Sequence, residues 1–437
     1  MSASRPGFVA EPGGRISGEI RVPGDKSISH RAAMLGAIAE GATDIHGFLD
    51  GDDCRATIAA VEALGIAIER PAHDRLVVQG RGPLGLRAPA SALDLGNSGT
   101  AMRLLVGILA GQSFDTILIG DASLMRRPME RVAAPLRRMG ADIRTNGGRP
   151  PIAIAGGRKL RGCRHELDIA SAQVKSAILL AGLYANGETR VTEPEPSRDH
   201  TERMLPAFGA SVGRDDATVT VVGPATLVGT RIDVPGDFSS AAIFIVAGLI
   251  AGSAPLVIRG VGVNPTRTGL LDILRLMGAD IRLMARSGRS DEPVADLEIR
   301  PGPLRGIPVP RELVARSIDE FPILFAAAAA ADGETVVTGA AELRLKESDR
   351  IEVMAEALRA IGVDADPRPD GMRIRGGGIH GGIVESHGDH RVAMSLAVLA
   401  ARADAPVVIR DVQNVATSFP GFATTAAAIG LRIAEVG

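Results

Sequence analysis

The sequence predicts a mixed α and β protein made of two pseudo-equivalent halves, each holding three related units. Three observations lead there. A helix-ending Gly followed by a strand-like run recurs six times, at EALGIAIE (Gly65), RRMGADIR (Gly140), PAFGASVG (Gly209), RLMGADIR (Gly278), RAIGVDAD (Gly362) and AAIGLRIA (Gly430). A second series alternates with it: AIAEGATDI, GILAGQSFDTIL, LYANGETRV, LIAGSAPLVI, AAADGETVV and the weaker AARADAPVVI. Finally, VPGDKSISHRAAMLGAIAEG (Val22 to Gly41) returns about half a chain later as VPGDFSSAAIFIVAGLIAG (Val234 to Gly252). Self-similarity of this kind marks a repeat architecture.

Members of both series read alike: an Ala-rich helix, a Gly C-cap, then a β-branched strand. Each unit of roughly 70 residues therefore holds two helices and several strands. Gly-capped helices are common enough to explain two or three copies, but six in alternating order need a shared unit. The two VPGD segments are then crossovers between the halves. This places 1–24 with 236–437 in one domain and 25–235 in the other.

Composition removes whole classes of function. Net charge is −2 and aromatics are 3% of residues, with no Trp and one Tyr, so neither a phosphate backbone nor stacked bases would find a platform. The longest apolar window, Ala241 to Ile258, is broken by Gly248, Gly252, Ser253 and Pro255 and is too short to span a membrane. No hydrophobic signal region opens the chain, and Cys54 and Cys163 supply neither a disulfide framework nor a metal cluster. A cytoplasmic protein without nucleic-acid or membrane partners is expected.

The chemistry shows at the helix starts. A helix dipole disfavours cations near its N-terminus, yet Lys26 and Arg31 follow Pro23-Gly24, and Arg103 follows the Gly-rich turn Gly96–Thr100. Lys175 follows Ser171 and Gln173, Lys346 and Arg350 open KESDRIEVMAEALRAIG, and Arg391 follows the expected N-cap Asp389. Pro128 suits a helix N1 position, which would set Arg127 at another start, and Ser197 suits an N-cap. Cations are tolerable there if an anion lies between them and the free backbone N–H groups help hold it. Any one of these is more often a solvated surface charge. Five together point to a small, multiply anionic ligand.

In order along the chain, PGDKSISHRA, LGNSGTAMR, RRPM, SAQVKSA, SRDHTE, NPTR, IDEFP, LKESDR, GDHR and TSFP resemble the 5-enolpyruvylshikimate-3-phosphate synthase family over essentially the whole length. SAQVK, NPTR and SRDHTE resemble its bacterial class II form. The resemblance implies a two-domain inside-out α/β barrel, each domain three βαβαββ repeats, with helix N-termini directed at an interdomain cleft and a hinge near 22–26 and 234–238. It implies no cofactor and no metal, a monomer, and two small-molecule substrates, shikimate 3-phosphate and phosphoenolpyruvate. The 5-hydroxyl would add to C2 of phosphoenolpyruvate while C3 is protonated, and the tetrahedral intermediate would eliminate phosphate.

Lys26, Ser27, Arg31, Ser171, Gln173, Ser197, Asp319 and Lys346 match the family's shikimate 3-phosphate contacts, Lys26 and Gln173 also touching phosphoenolpyruvate. Gly99 and Arg127 match its phosphoenolpyruvate phosphate site, and Arg350 and Arg391 the grip on the carboxylate, a role suited to a guanidinium fork. Asp319 matches the acceptor of the 5-hydroxyl proton and Glu347 the donor to C3, with Lys26 an alternative carrier. Without the family, Asp319 could be only a helix N-cap, with Glu320 its solvated neighbour. To donate near neutral pH, Glu347 needs a pKa above about 4.3, against the pull of surrounding cations.

Two departures matter. Thr417 stands where some relatives carry a Lys on the phosphate, and Gly99 stands where herbicide-insensitive relatives carry Ala, so glyphosate should inhibit. The nearest rival, a UDP-N-acetylglucosamine enolpyruvyl transferase, typically carries a loop Cys that DASLMRRPM lacks. A nucleotide-dependent kinase would need a Walker A loop, which GDKS is not. A non-catalytic phosphoanion-binding repeat protein would bind both substrates without turnover.

Overall fold

The computed structural model describes residues 6–286 and 292–437, and these divide into two compact units, each with its own hydrophobic core. One unit comprises 6–23, 235–286 and 293–437; the other comprises 24–234 together with Glu292. Among the described residues are twelve α-helices and six small sheets, three sheets to a unit.

All six sheets follow one plan. A leading strand pairs parallel with the next, and the rest of the sheet continues antiparallel. In the 24–234 unit the parallel pairs are Arg231–Asp233 with Ala39–His46, Leu93–Asp94 with Thr116–Ile119, and Arg164–Glu166 with Gly187–Thr192. In the other unit they are Ile16–Arg21 with Gly252–Gly262 and Gly382–Glu385 with Val407–Arg410, while the third sheet has only the bridges Arg305 to Asp332 and Pro308 to Val336. Gly7–Gly14 closes the last sheet between Val407–Arg410 and Leu431–Val436, so the N-terminal strands complete the C-terminal unit.

One helix of each repeat is buried along most of its length and lies inside its unit. Phe238–Ala251 is buried from Phe238 to Leu249, and every residue of Phe321–Ala329 is buried. Lys26–Ile38, Gly99–Leu109, Ala172–Gly182 and His390–Leu399 are the other four. Small residues let these helices approach. A Cβ on Gly107 would lie 2.2 Å from the Ala177 carbonyl oxygen, so Gly99–Leu109 and Ala172–Gly182 touch backbone to backbone.

The other six helices have one polar face and end at the first Gly series. Gly65, Gly140, Gly209, Gly278, Gly362 and Gly430 all have φ between +87° and +102°, the left-handed turn that Gly adopts without strain. The second series behaves differently from expectation. Lys26–Ile38 passes directly into strand Ala39–His46, so Gly41 lies inside that strand, and Gly252 caps Phe238–Ala251 at φ −65° in extended backbone. Here the strand begins at the helix end and no reversing turn is needed.

Three helix starts also differ. Pro128 precedes the Met129 N-cap of Glu130–Arg138, because the Met129 N–H is held by the Gly148 carbonyl at 2.8 Å; Arg127 thus sits ahead of the helix. Asp199, not Ser197, is the N-cap of His200–Ala207. The helix opening near KESDR begins at Arg350, with Lys346 still in the preceding turn. Asp389 caps His390–Leu399 as expected, accepting from the Arg391 N–H at 3.0 Å. No helix among the described residues is long and apolar enough to cross a membrane.

Candidate active site

In the 24–234 unit, Asp25 accepts from the Ile28 N–H at 2.9 Å and so fixes the first turn that carries Lys26, Ser27 and Arg31. Lys26 Nζ lies 3.1 Å from Asp53. Arg31 is buried and three of its five N–H donors are engaged: Nε donates to Thr201 Oγ1 (2.7 Å), Nη2 to Ser176 Oγ (2.8 Å) and Nη1 to the Ser27 carbonyl (3.0 Å). Burial draws its pKa down to about 10, with Glu202 pulling the other way. The Ser27 hydroxyl has no hydrogen-bond partner among the described residues.

Helix Ala172–Gly182 connects this group to the rest of the unit's predicted residues. Ser171 is its N-cap. Two residues on, Gln173 accepts from Arg103 Nη1 (2.8 Å) and donates to Thr100 Oγ1 (2.9 Å). Arg127 donates to Asn97 Oδ1 at 2.6 Å. A Cβ on Gly99 would stand 2.8 Å from Arg103 Nη1 and 2.9 Å from Arg127 Nη1, so the bare glycine is what lets two guanidinium groups approach the first turn of Gly99–Leu109. Arg103 was only partly legible in the sequence: its place one turn into the helix was visible, but not its bond to Gln173.

Lys175 is not directed at a ligand. It is buried between Glu193 (2.5 Å) and Glu202 (2.8 Å); burial alone would depress its pKa, and the two carboxylates outweigh that and raise it. Glu193 also accepts from the Ser171 N–H (3.1 Å) and the Ser197 hydroxyl (2.6 Å). Sequence reasoning missed Glu193, because a Glu in a loop carries no signal of burial.

In the other unit the predicted acid–base residues gather on one arginine. Arg350, 1% exposed, donates from Nε to Asp389 (2.8 Å) and from Nη2 to Glu347 (2.6 Å), with Nη1 at 3.6 Å from Asp319. Burial works against its charge, but the three carboxylates outweigh it and raise its pKa. Asp389, also fully buried, is nonetheless held below the ordinary carboxylate range by Arg350. Lys346 Nζ is 3.4 Å from Asp319. Asp319 is therefore an ion-paired group and not an N-cap; Glu320 holds the N-cap position of Phe321–Ala329.

Glu320 is also not solvated. It is 3% exposed, accepts a short hydrogen bond from the Ser239 hydroxyl, and lies 3.5 Å from Arg267 and 4.0 Å from Arg391. Arg267 in turn donates to Ser239 Oγ at 2.7 Å. Thr417 donates its hydroxyl to the Asn414 carbonyl at 2.6 Å, so that proton is engaged within the chain.

Comparison with known proteins gives these groups a family. The model of EPSP synthase (3-phosphoshikimate 1-carboxyvinyltransferase) matches residues 10–425. The chain is 58% identical to the 3-phosphoshikimate 1-carboxyvinyltransferase of Methylococcus capsulatus over 427 residues, 98% of each chain. An EPSP synthase structure from Acinetobacter baumannii superposes with a TM-score of 0.89 at 51% identity, covering 99% of this chain and 100% of that one. The enolpyruvyl transferase NikO from Streptomyces tendae shares the fold at a TM-score of 0.80 and 19% identity, with 99% of each chain covered. The chain belongs to the EPSP synthase (3-phosphoshikimate 1-carboxyvinyltransferase) family.

Proposed function

We propose that this chain transfers the enolpyruvyl group of phosphoenolpyruvate to the 5-hydroxyl of shikimate 3-phosphate, releasing phosphate, in the synthesis of aromatic compounds. The alignment over nearly the full length supports the reaction. One observation carries the assignment of its proton transfers: Asp319, Glu347 and Asp389 all face the single buried fork of Arg350.

In this reading Lys26, Ser27, Arg31, Ser171, Gln173, Ser197, Asp319 and Lys346 hold shikimate 3-phosphate. Lys26, Gly99, Arg127 and Gln173 hold phosphoenolpyruvate, with Arg350 and Arg391 on its carboxylate. Arg103 joins the phosphate grip that a Lys at position 417 would otherwise strengthen. Asp319 takes the 5-hydroxyl proton as the oxygen attacks C2, and Glu347 delivers a proton to C3. The elimination step returns a C3 proton to Glu347 as the C2–O bond to phosphate breaks, and the proton taken by Asp319 leaves with the phosphate.

The geometry constrains the order. Glu347 accepts from Arg350 through Oε2, so that oxygen carries no proton in this pose. A substrate carboxylate competes for the same guanidinium and would release Glu347 as it binds, so phosphoenolpyruvate arrival itself readies the acid. We further take the chain to act as a cytoplasmic monomer. The test is a phosphate-release assay: turnover requires both substrates together, falls with glyphosate, and is lost in Asp319→Ala. Tight binding of both substrates without phosphate release would leave the non-catalytic reading standing.

A further inference from the structure

We propose that Glu193 is a positioning residue, a buried carboxylate that sets Ser171 and Ser197 for the acceptor's phosphate. This rests on the assignment of those two serines to that phosphate. Glu193 is 5% exposed, just beyond strand Gly187–Thr192, and reaches both serines through one oxygen. Its Oε1 accepts from the Ser171 backbone N–H at 3.1 Å and from the Ser197 hydroxyl at 2.6 Å. Its Oε2 faces Lys175 Nζ at 2.5 Å. The serines lie on separate segments, ahead of helices Ala172–Gly182 and His200–Ala207, and Glu193 joins them.

The division of labour between the two oxygens has a chemical consequence. A serine hydroxyl has one hydrogen, and in this structure Ser197 gives it to Glu193. When a phosphate oxygen binds, the hydroxyl turns about its Cβ–Oγ bond and gives that hydrogen to the phosphate. Oε1 is not orphaned by the exchange, because the Ser171 N–H remains on it, so no buried acceptor is left without a partner.

A carboxylate so close to a phosphate would ordinarily repel it. Lys175, held between Glu193 and Glu202, offsets that charge, and Arg31 is bound through Ser176, the next residue of the same helix. The serines are thus held by an anion without that anion dominating the field at the site. A carboxamide at 193 could still accept on one side, but it would place an NH2 group against either Lys175 or the serines.

The test compares binding of shikimate 3-phosphate with shikimate, which lacks only the phosphate, in wild type, Glu193→Gln and Ser171→Ala/Ser197→Ala. Glu193→Gln should raise the dissociation constant for shikimate 3-phosphate about tenfold and that for shikimate less than about twofold, collapsing the preference for the phosphorylated ligand. Glu193→Asp keeps the charge opposite Lys175 but shortens the reach, so it carries the same test if Glu193→Gln does not fold; a smaller loss confined to shikimate 3-phosphate is expected. Equal losses for both ligands, or no loss, would overturn the proposal. If the double serine variant binds shikimate 3-phosphate like wild type, the phosphate site itself is misassigned and the proposal falls with it. If the serines matter and Glu193 does not, only the positioning role fails.

Discussion

The two VPGD segments share one helix cap and part ways in the side chains just beyond it. Asp25 and Asp237 have nearly the same backbone (φ −60°, ψ 120° and φ −65°, ψ 124°), and each accepts an N–H three residues on. Each opens a helix buried along most of its length. After that the copies diverge. Lys26 pairs with Asp53, whereas Phe238 is 1% exposed in the core. Arg31 ties down Thr201 and Ser176, whereas the equivalent Ile243 is buried among apolar residues. The Ser27 hydroxyl bonds to nothing among the described residues, whereas Ser239 is locked between Arg267 and Glu320. The cap and the buried helix are what the scaffold requires. Side chains at the second, third and seventh positions after the glycine are free to serve ligand binding in one copy and packing or a buried polar network in the other.

Single substitutions can break this division. The largest contrast is between Lys26→Met and Phe238→Ala. The first should lower turnover roughly a thousandfold with little change in the unfolding midpoint, because it removes a charged contact to substrate. The second should cost about 3–5 kcal/mol of stability through the cavity left in the core. Steady-state assays beside urea unfolding separate the two, and a large stability loss in Lys26→Met would contradict the division. The equivalent serines give a finer comparison. Ser239→Ala removes one donor to Glu320 and one acceptor for Arg267, both buried, and should cost about 1–3 kcal/mol. Ser27→Ala removes no side-chain bond among the described residues and should stay within about 0.5 kcal/mol while weakening shikimate 3-phosphate binding. Equal stability losses for the two serines would show that Ser27 is structural as well.

Fold class was legible because it depends on local signals that repeat. The six glycines at φ near +90° were visible as helix ends, and LIAGSAPLVI and AAADGETVV were visible as Ala-rich helices running into strands. Caps given by an Asp followed directly by its helix were legible too. Long-range partners were not. Glu320 read as solvated because nothing in SIDEFP reveals Ser239, some eighty residues away, or Arg267. Lys175 had the same look as Lys26, a cation near the start of an Ala-rich helix, and only the fold shows that Glu193 and Glu202 enclose it. Pro128 misled for a related reason: the bond from the Met129 N–H to the Gly148 carbonyl fixes the helix start two residues later than proline's local preference suggests. Residue types announced an anionic ligand, but which cations face it and which are neutralised inside the protein depends on contacts between repeats.

A further contrast separates the copies by pH. Position 30 is His in the first copy and the equivalent Ala242 in the second. His30 is fully buried, and its Nδ1 meets Thr57 Oγ1 at 2.7 Å. Thr57 Oγ1 also lies 3.4 Å from the Asp53 carbonyl oxygen, while Nε2 of His30 is buried without a partner. Burial, then Lys26 and Arg31, hold the pKa of His30 well below 6.5. Unfolding frees the ring to take a proton near its ordinary pKa of about 6.5. Between that value and the lower native one the unfolded chain binds more protons, so stability falls as pH falls. It is fully present above about pH 7. His165, whose pKa burial lowers to about 4, acts in the same direction in the same unit. One histidine that is neutral in the native state and charged in the unfolded chain contributes at most about 1.4 kcal/mol per pH unit below its ordinary pKa. Urea unfolding at pH 7, 6 and 5 should show the wild type losing stability over that range. His30→Gln, which titrates nowhere in it, should lose one proton's worth of that slope, and an unchanged slope would mean that His30 is already charged in the native protein.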